Sequence, residues 1–272
     1  MTTTGSAPKF GDLLRQWRTA RRVSQLDLAA TAAVSQRHLS FLETGRAKPS
    51  REMVLHLGTA LDVPLRYRNA LLAAAGFAPV YQERRLDEPG LEQVRHVLSV
   101  ILGAHEPFPA YVVDRGWNLL LSNEAAGALV ARLIDPTDVA LFAGNLIRLS
   151  LHPRGLRRYL VNWEEAATAL LDRVEREAMD RPTDTTLTQL LGEVRSYPGI
   201  ADLPEAQPVP TSSALLVPLH LRIEDLELKL FTTIATIGAP YDVTLEELRL
   251  EALLPADADS EASLRQLAGL PG

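Results

Sequence analysis

A chain of 272 residues, with 46% apolar and 23% charged side chains, has the size and composition of two soluble globular domains. It contains no cysteine, which excludes disulfides, iron–sulfur clusters, thiolate zinc sites, thiol nucleophiles and cysteine–flavin sensing. The net charge of −6 argues against nucleic acid, but it averages two unlike parts: residues 1–80 carry 11 Lys and Arg against 5 Asp and Glu, and residues 81–272 carry 17 against 29. A basic, anion-binding head on an acidic body is the expectation. No apolar run approaches the ~18 residues of a membrane span, and the opening residues lack the core of a secretory leader. A cytoplasmic protein without membrane contact follows as an expectation.

The first helix is expected over residues 10–22, where Phe10, Leu13, Leu14 and Trp17 fall at i, i+3, i+4, i+7. Arg15, Arg18, Arg21 and Arg22 leave that stripe or gather at its end. Ser24 reads as an N-cap with Asp27 completing a capping box. It opens a helix from Gln25 to about Ala32. Ser35 reads as the next cap, before a helix from Gln36 to Glu43 that Thr44-Gly45 ends. Pro49-Ser50 opens a fourth helix to Leu61, and a fifth runs from Leu65 to Ala75. Two of these helices, joined by a tight turn at Val34, form a helix-turn-helix.

The stretch Ser24-Gln25-x-x-Leu28-Ala29, Val34-Ser35, Leu39-x-x-Leu42-Glu43-x-Gly45-Arg46 and Pro49-Ser50 resembles the Xre/Cro-type helix-turn-helix family of bacterial and phage repressors. The resemblance covers roughly residues 9–64 and implies a lambda-repressor-like, all-α head of five helices. One position departs: Ala33 stands where the family usually has Gly. A left-handed backbone there costs Ala on the order of 1 kcal/mol.

The third helix presents Gln36, Arg37 and Ser40 at its start, and the first turns of such a helix reach base edges in the major groove. The resemblance implies Gln36 and Arg37 as base readers, with Ser40 and Phe41 next along the same face. Phe41 either touches a thymine methyl or packs inside. Gln25 matches a family position that holds a phosphate. Thr44, Arg46 and Lys48 lie in the following loop, where phosphate contacts are usual. The expected partner is a double-stranded DNA operator read by a homodimer.

Residues 76–90 are dense in Pro, Gly and charge and read as a linker, leading to a helix from Leu91 to about Gly103. A β-hairpin is expected at Ala110–Asp114 and Trp117–Leu121, turning at Arg115-Gly116. Ser122-Asn123-Glu124 caps a helix to Leu133. Asn145–Leu151 reads as a short helical piece, 162–179 as a long helix and Leu187–Val194 as another. Strands at 213–223, 226–237 and about 243–253 follow, with turns at Glu224-Asp225 and 238–242. The boundaries are a DNA-binding domain at 1–80, linker and connecting helix at 81–104, an α+β PAS-like domain with an antiparallel sheet at 105–256 and a tail at 257–272.

Pro109-Ala110-Tyr111-Val112-Val113-Asp114-x-x-Trp117-x-Leu119-x-x-x-Asn123-x-Ala125-Ala126, then Asn145-Leu146-Ile147-Arg148-x-x-x-His152-Pro153 and Asn162-Trp163, resembles the ligand-binding domain of MmyB-like regulators. That resemblance is strong over 9–165 and implies an Xre-type head coupled to a PAS-like pocket for a fatty-acid-like molecule. After the long helix this family carries a Ser-x-x-Phe-x-x-x-Trp stretch. Here Thr188-Gln189-Leu190-Leu191 and Val194-Arg195-Ser196-Tyr197 lack the aromatic pair.

The expected lining is Trp117, Leu119, Leu121, Phe142, Leu146, Leu149, Leu216, Leu228 and Phe231. The expected polar anchors are Asn123, Asn145, Arg148, His152 and Arg154, a basic side chain meeting a carboxylate head. For each apolar residue, plain core packing competes with a lining role. For Arg148, Arg154, Arg157 and Arg158, a solvated helix face competes with the anchor role. Six histidines at 38, 56, 96, 105, 152 and 220 show no metal-ligand pairing, though a haem would draw on His96, His105 or His220. No nucleophile elbow or phosphate-binding Gly loop is present. The expectation is a DNA-binding transcriptional regulator, not an enzyme, with no cofactor beyond a small lipophilic ligand. The alternative is a DNA-binding protein whose second domain only oligomerises.

Overall fold

Three serines set the helix starts of the head. The hydroxyls of Ser24, Ser35 and Ser50 accept from the backbone N–H of Asp27, His38 and Met53 at 3.1, 3.1 and 3.2 Å. Each meets a donor that has no partner within its own helix. The computed structural model describes residues 8–204, 218–224, 226–238 and 241–269. The chain divides into two compact units.

The first unit takes the chain as far as Arg84, with Glu177–Thr185 and the segment ending at Glu246. Its helices are α1 (Phe10–Ala20), α2 (Gln25–Thr31), α3 (Gln36–Glu43), α4 (Arg51–Ala60) and α5 (Leu65–Ala74). They enclose Leu14, Trp17, Leu28, Leu39, Leu42, Val54, Leu57 and Leu72, all nearly inaccessible. Gly11 lets α1 close on the end of α3: a Cβ there would lie 2.5 Å from the Glu43 carbonyl oxygen. Ala33, in the turn between α2 and α3, has φ +48°. The family's glycine position is thus a left-handed residue here too, held by a side chain that disfavours it.

The second unit runs from Arg85 to Arg176, from Thr186 to Gly238 and from Glu247 onward. It contains α6 (Glu92–Ala104), β1 (Ala110–Val113), β2 (Leu119–Ser122), α7 (Glu124–Leu133), α8 (Val139–Phe142) and α9 (Leu146–Leu151). A short 3-10 turn at Leu156–Tyr159 precedes α10 (Trp163–Met179), which ends in the first unit, and α11 (Thr186–Val194). Next come β3 (Leu219–Ile223), β4 (Leu226–Thr236), α12 (Val243–Glu247), β5 (Arg249–Pro255) and α13 (Ala258–Leu267). The five strands form one antiparallel sheet in the order β2-β1-β5-β4-β3. The fold is therefore an all-α helix-turn-helix head followed by an α+β unit on an antiparallel sheet.

Several local expectations shift. The last strand begins at Arg249, not near 243, because Asp242 Oδ1 accepts from the Thr244 and Leu245 N–H groups at 2.9 and 3.4 Å and starts α12 instead. The hairpin turn is wider than Arg115-Gly116. Asp114 Oδ1 accepts from Gly116 N and Asn118 N at 2.8 and 2.9 Å, and Trp117 adopts φ +66°. Where a tail is expected from 257, α13 is capped by Asp257 and buries Leu264. The part of the 213–223 strand before residue 218, Leu216, and the turn positions Asp225, Ala239 and Pro240 lie outside the described residues.

Candidate DNA interface and ligand cavity

On the head, Gln36 and Arg37 stand exposed in the first turn of α3, with Ser40 and Phe41 half-buried one turn on. The Arg37 guanidinium lies 5.3 Å from the Phe41 ring centroid, a cation–π pair across one turn. Thr44, Arg46 and Lys48 are exposed after the helix, and the Thr44 hydroxyl donates to the Ser40 carbonyl at 2.8 Å. Helix and loop thus present Gln, Arg and Lys donors together. That set suits base edges and phosphates.

Gln25 is partly engaged, its Nε2 donating to Glu43 Oε2 at 2.8 Å. Glu43 itself is buried and accepts both Nε and Nη2 of Arg18 at 2.6 and 3.0 Å, with Arg15 3.6 Å away. Burial alone would raise the Glu43 pKa. The hydrogen bonds from Arg18 and Gln25, with the charges of Arg18 and Arg15, outweigh it and hold the carboxyl below its ordinary value. Glu43 therefore ties α1, α2 and the end of α3 together. Neither periodicity nor spacing marked it as more than the last residue of the Leu39-x-x-Leu42-Glu43 stretch.

In the second unit a cavity of about 270 Å³ lies between the sheet and its covering helices. Its walls are largely aliphatic: Leu119, Leu129, Leu133, Leu146, Leu149, Leu156, Leu170, Leu219, Leu221 and Leu253. At one place it is polar. Arg173 of α10 donates to Glu251 of β5 at 2.5 Å, and the Tyr111 hydroxyl of β1 donates to the same carboxylate at 3.3 Å. Burial, reinforced by the Glu251 carboxylate, pushes the Tyr111 hydroxyl pKa upward, so the phenol keeps its proton. Trp117 closes this end, with the guanidinium carbons of Arg173 and Arg249 at 4.3 and 4.6 Å from its ring centroid. A bulky aromatic residue at positive φ is an outlier that its surroundings must enforce. Asn145 enforces it, donating to the Gly116 carbonyl at 2.7 Å, while Leu146 N donates to the Trp117 carbonyl at 2.9 Å.

Of the expected lining, the structure brings Trp117, Leu119, Leu146 and Leu149 to this cavity. Phe231 neighbours Thr232 on β4. Thr232 pairs with Leu253 and lines the cavity, so strand alternation turns Phe231 to the other face. Phe142 and Leu228 are buried in the surrounding core. Asn123 does not line the cavity; it caps α7, accepts from Ala110 N at 2.9 Å and donates to the Phe108 carbonyl at 2.8 Å. Asn145 caps α9.

The expected basic anchors are engaged elsewhere. Arg148 pairs with Glu193 at 2.7 Å, and Arg154 pairs with buried Asp138. The His152 ring meets the edges of Phe142 and Tyr197 at 5.7 and 5.1 Å. Tyr111, Arg173 and Glu251 were absent from the sequence-based set. For Arg173 a signal existed: it stands three residues after Leu170, on the inward stripe of the long helix. No group of three or more potential metal ligands occurs among the described residues. No described helix is long and apolar enough to cross a membrane.

A helix-turn-helix with exposed donors, followed by an α+β unit with a mainly apolar cavity, defines a DNA-binding protein carrying a small-molecule domain. Residues 9–71 match a helix-turn-helix domain family, and residues 94–267 match the MmyB-like transcription regulator ligand binding domain. The chain belongs to the MmyB-like transcription regulators. No curated protein matches it.

Proposed function

We propose that this regulator is an Xre-type, cytoplasmic protein that binds an operator as a homodimer and holds a fatty acid in the cavity of its second unit. On the head, Gln36 and Arg37 read bases, Ser40 and Phe41 flank them, and Gln25, Thr44, Arg46 and Lys48 meet phosphates. An exposed apolar stripe on α6, formed by Val97, Val100 and Ile101, supports pairing of two copies.

The observation that carries the ligand reading is the cavity's composition: aliphatic walls with one charged end at Arg173. An acyl chain gains about 0.8 kcal/mol for each buried CH₂. Its carboxylate takes a charge-assisted hydrogen bond from Arg173, a group still partly accessible at 22% side-chain exposure. This moves the anchor from Arg148, His152 and Arg154 to α10. The test is a fluorescence titration of lipid-stripped protein with a fatty acid. Saturable binding, weakened about tenfold or more in Arg173→Leu, is expected. A stripped, folded protein that takes up no fatty acid overturns the reading and leaves the second unit as an oligomerisation module.

A further inference from the structure

Two segments that follow the head by more than ninety residues in sequence nevertheless belong to its unit: Glu177–Thr185 and the stretch ending at Glu246. Both hold the first turn of α5. Leu65 N–H starts that helix, and Pro64 before it offers no capping side chain. Glu246 Oε2 accepts from Leu65 N at 2.7 Å and places a negative charge at the helix start. Two residues on, the Tyr67 hydroxyl donates to Asp184 Oδ2 at 2.7 Å. Beside these, Gln16 of α1 donates to the Pro182 carbonyl at 3.0 Å, and Arg21 lies 3.6 Å from Asp180.

From α5 the packing continues to the DNA-reading helix. The Tyr67 ring lies 5.2 Å from Trp17 on α1. The next residue, Arg18, carries the bidentate bond to Glu43 at the end of α3.

The same two segments are the direct chain continuations of the cavity's charged end. Arg173 on α10 precedes Asp184 by eleven residues, and Glu251 on β5 follows Glu246 by five. The Arg173–Glu251 pair therefore clasps together the two elements that run into the head-holding segments.

We propose that Glu246 and Asp184 are coupling contacts, through which occupancy of the cavity alters how firmly α5 is held and so changes DNA affinity. This rests on the fatty-acid reading above. A carboxylate that engages Arg173 competes with Glu251, the clasp loosens, and the two segments change their hold on Leu65 and Tyr67. Allostery requires an element with two arrangements that both ligands bias; the first turn of α5 is that element. Neither Glu246 nor Asp184 lines the cavity or stands among the DNA-facing side chains, so coupling can be removed without touching either site.

The experiment measures operator affinity of the full chain by fluorescence anisotropy, with and without saturating dodecanoate. The operator is obtained by in vitro selection. In the unaltered protein, dodecanoate is expected to change operator affinity about fivefold or more, within the usual span of coupling strengths. In Tyr67→Phe/Glu246→Gln the change collapses to less than about twofold and the ligand-free operator affinity moves toward that of the unaltered protein with dodecanoate, while dodecanoate binding persists. Glu246→Gln alone retains the side chain's size and serves if the double variant fails to fold. Hydrogen exchange of the Leu65 amide gives a direct readout: it speeds up with dodecanoate in the unaltered protein.

An undiminished response in a folded variant, or an operator affinity indifferent to bound dodecanoate in the unaltered protein, overturns the coupling proposal. Failure to bind dodecanoate or any longer fatty acid instead overturns the ligand reading beneath it.

Discussion

Glu43 in the head and Glu251 in the second unit are both buried carboxylates set against arginine, yet they serve different ends. The Glu43 side chain is fully inaccessible. Two arginines and Gln25 surround its oxygens, and the result is a fixed junction of α1, α2 and α3. Glu251 borders open volume, so its bond to Arg173 faces space that another molecule can enter. The same ion pair is cement where packing is complete and a contestable contact where packing stops. A buried pair therefore says little about function until the space around it is known.

The largest effect expected from this contrast is at Glu43. Glu43→Ala leaves Arg18 without its partner and should lower stability of the head by about 3 kcal/mol, the low end for breaking a buried pair. Urea unfolding followed through the Trp17 environment measures it, and fatty-acid binding should be untouched. Because the Glu43 pKa lies below its unfolded value, its contribution is complete above the ordinary glutamate range near pH 4.5 and is lost as the pH falls through its lower folded value. Glu43→Gln should therefore flatten the acid limb of head stability. An acid limb unchanged in that variant would mean that Glu43 is not the junction described.

The next effect sharpens the contrast between buried and exposed arginines. Arg37 is exposed, with its guanidinium over the Phe41 ring, so Arg37→Ala should leave stability nearly unchanged. Operator affinity should fall by about 1–3 kcal/mol, with discrimination relaxed at one base pair. Lys48→Ala should instead weaken operator and random DNA alike and reduce the salt slope by about one. Equal losses on both DNAs for Arg37→Ala would reassign it to the phosphates.

The smallest effect is at Ala33. Its left-handed backbone predicts that Ala33→Gly raises the melting midpoint, with a gain of about 0.5–1 kcal/mol, partly offset by the greater freedom of glycine in the unfolded chain. A destabilised Ala33→Gly would show that the Ala33 methyl packs usefully despite its exposed position.

The head was legible in the sequence because its signals are local. Serine caps, the Phe10–Trp17 stripe and the α3 donors each depend on residues within one or two turns, and the structure retains them. The cavity was legible only in its aliphatic part. Leucines at strand and helix spacing declare an inward face, and Trp117, Leu119, Leu146 and Leu149 follow from that.

Its charged end was not legible, because Arg173 and Glu251 stand 78 residues apart and meet only when α10 crosses a five-stranded sheet. The basic residues that looked like anchors, Arg148 and Arg154, found Glu193 and Asp138 as partners in three dimensions. Charge identity is written in the chain, and so is the division of +6 from −12 between its two parts. Which charge is neutralised and which borders a cavity depends on distances between remote elements, so tertiary structure alone decided it.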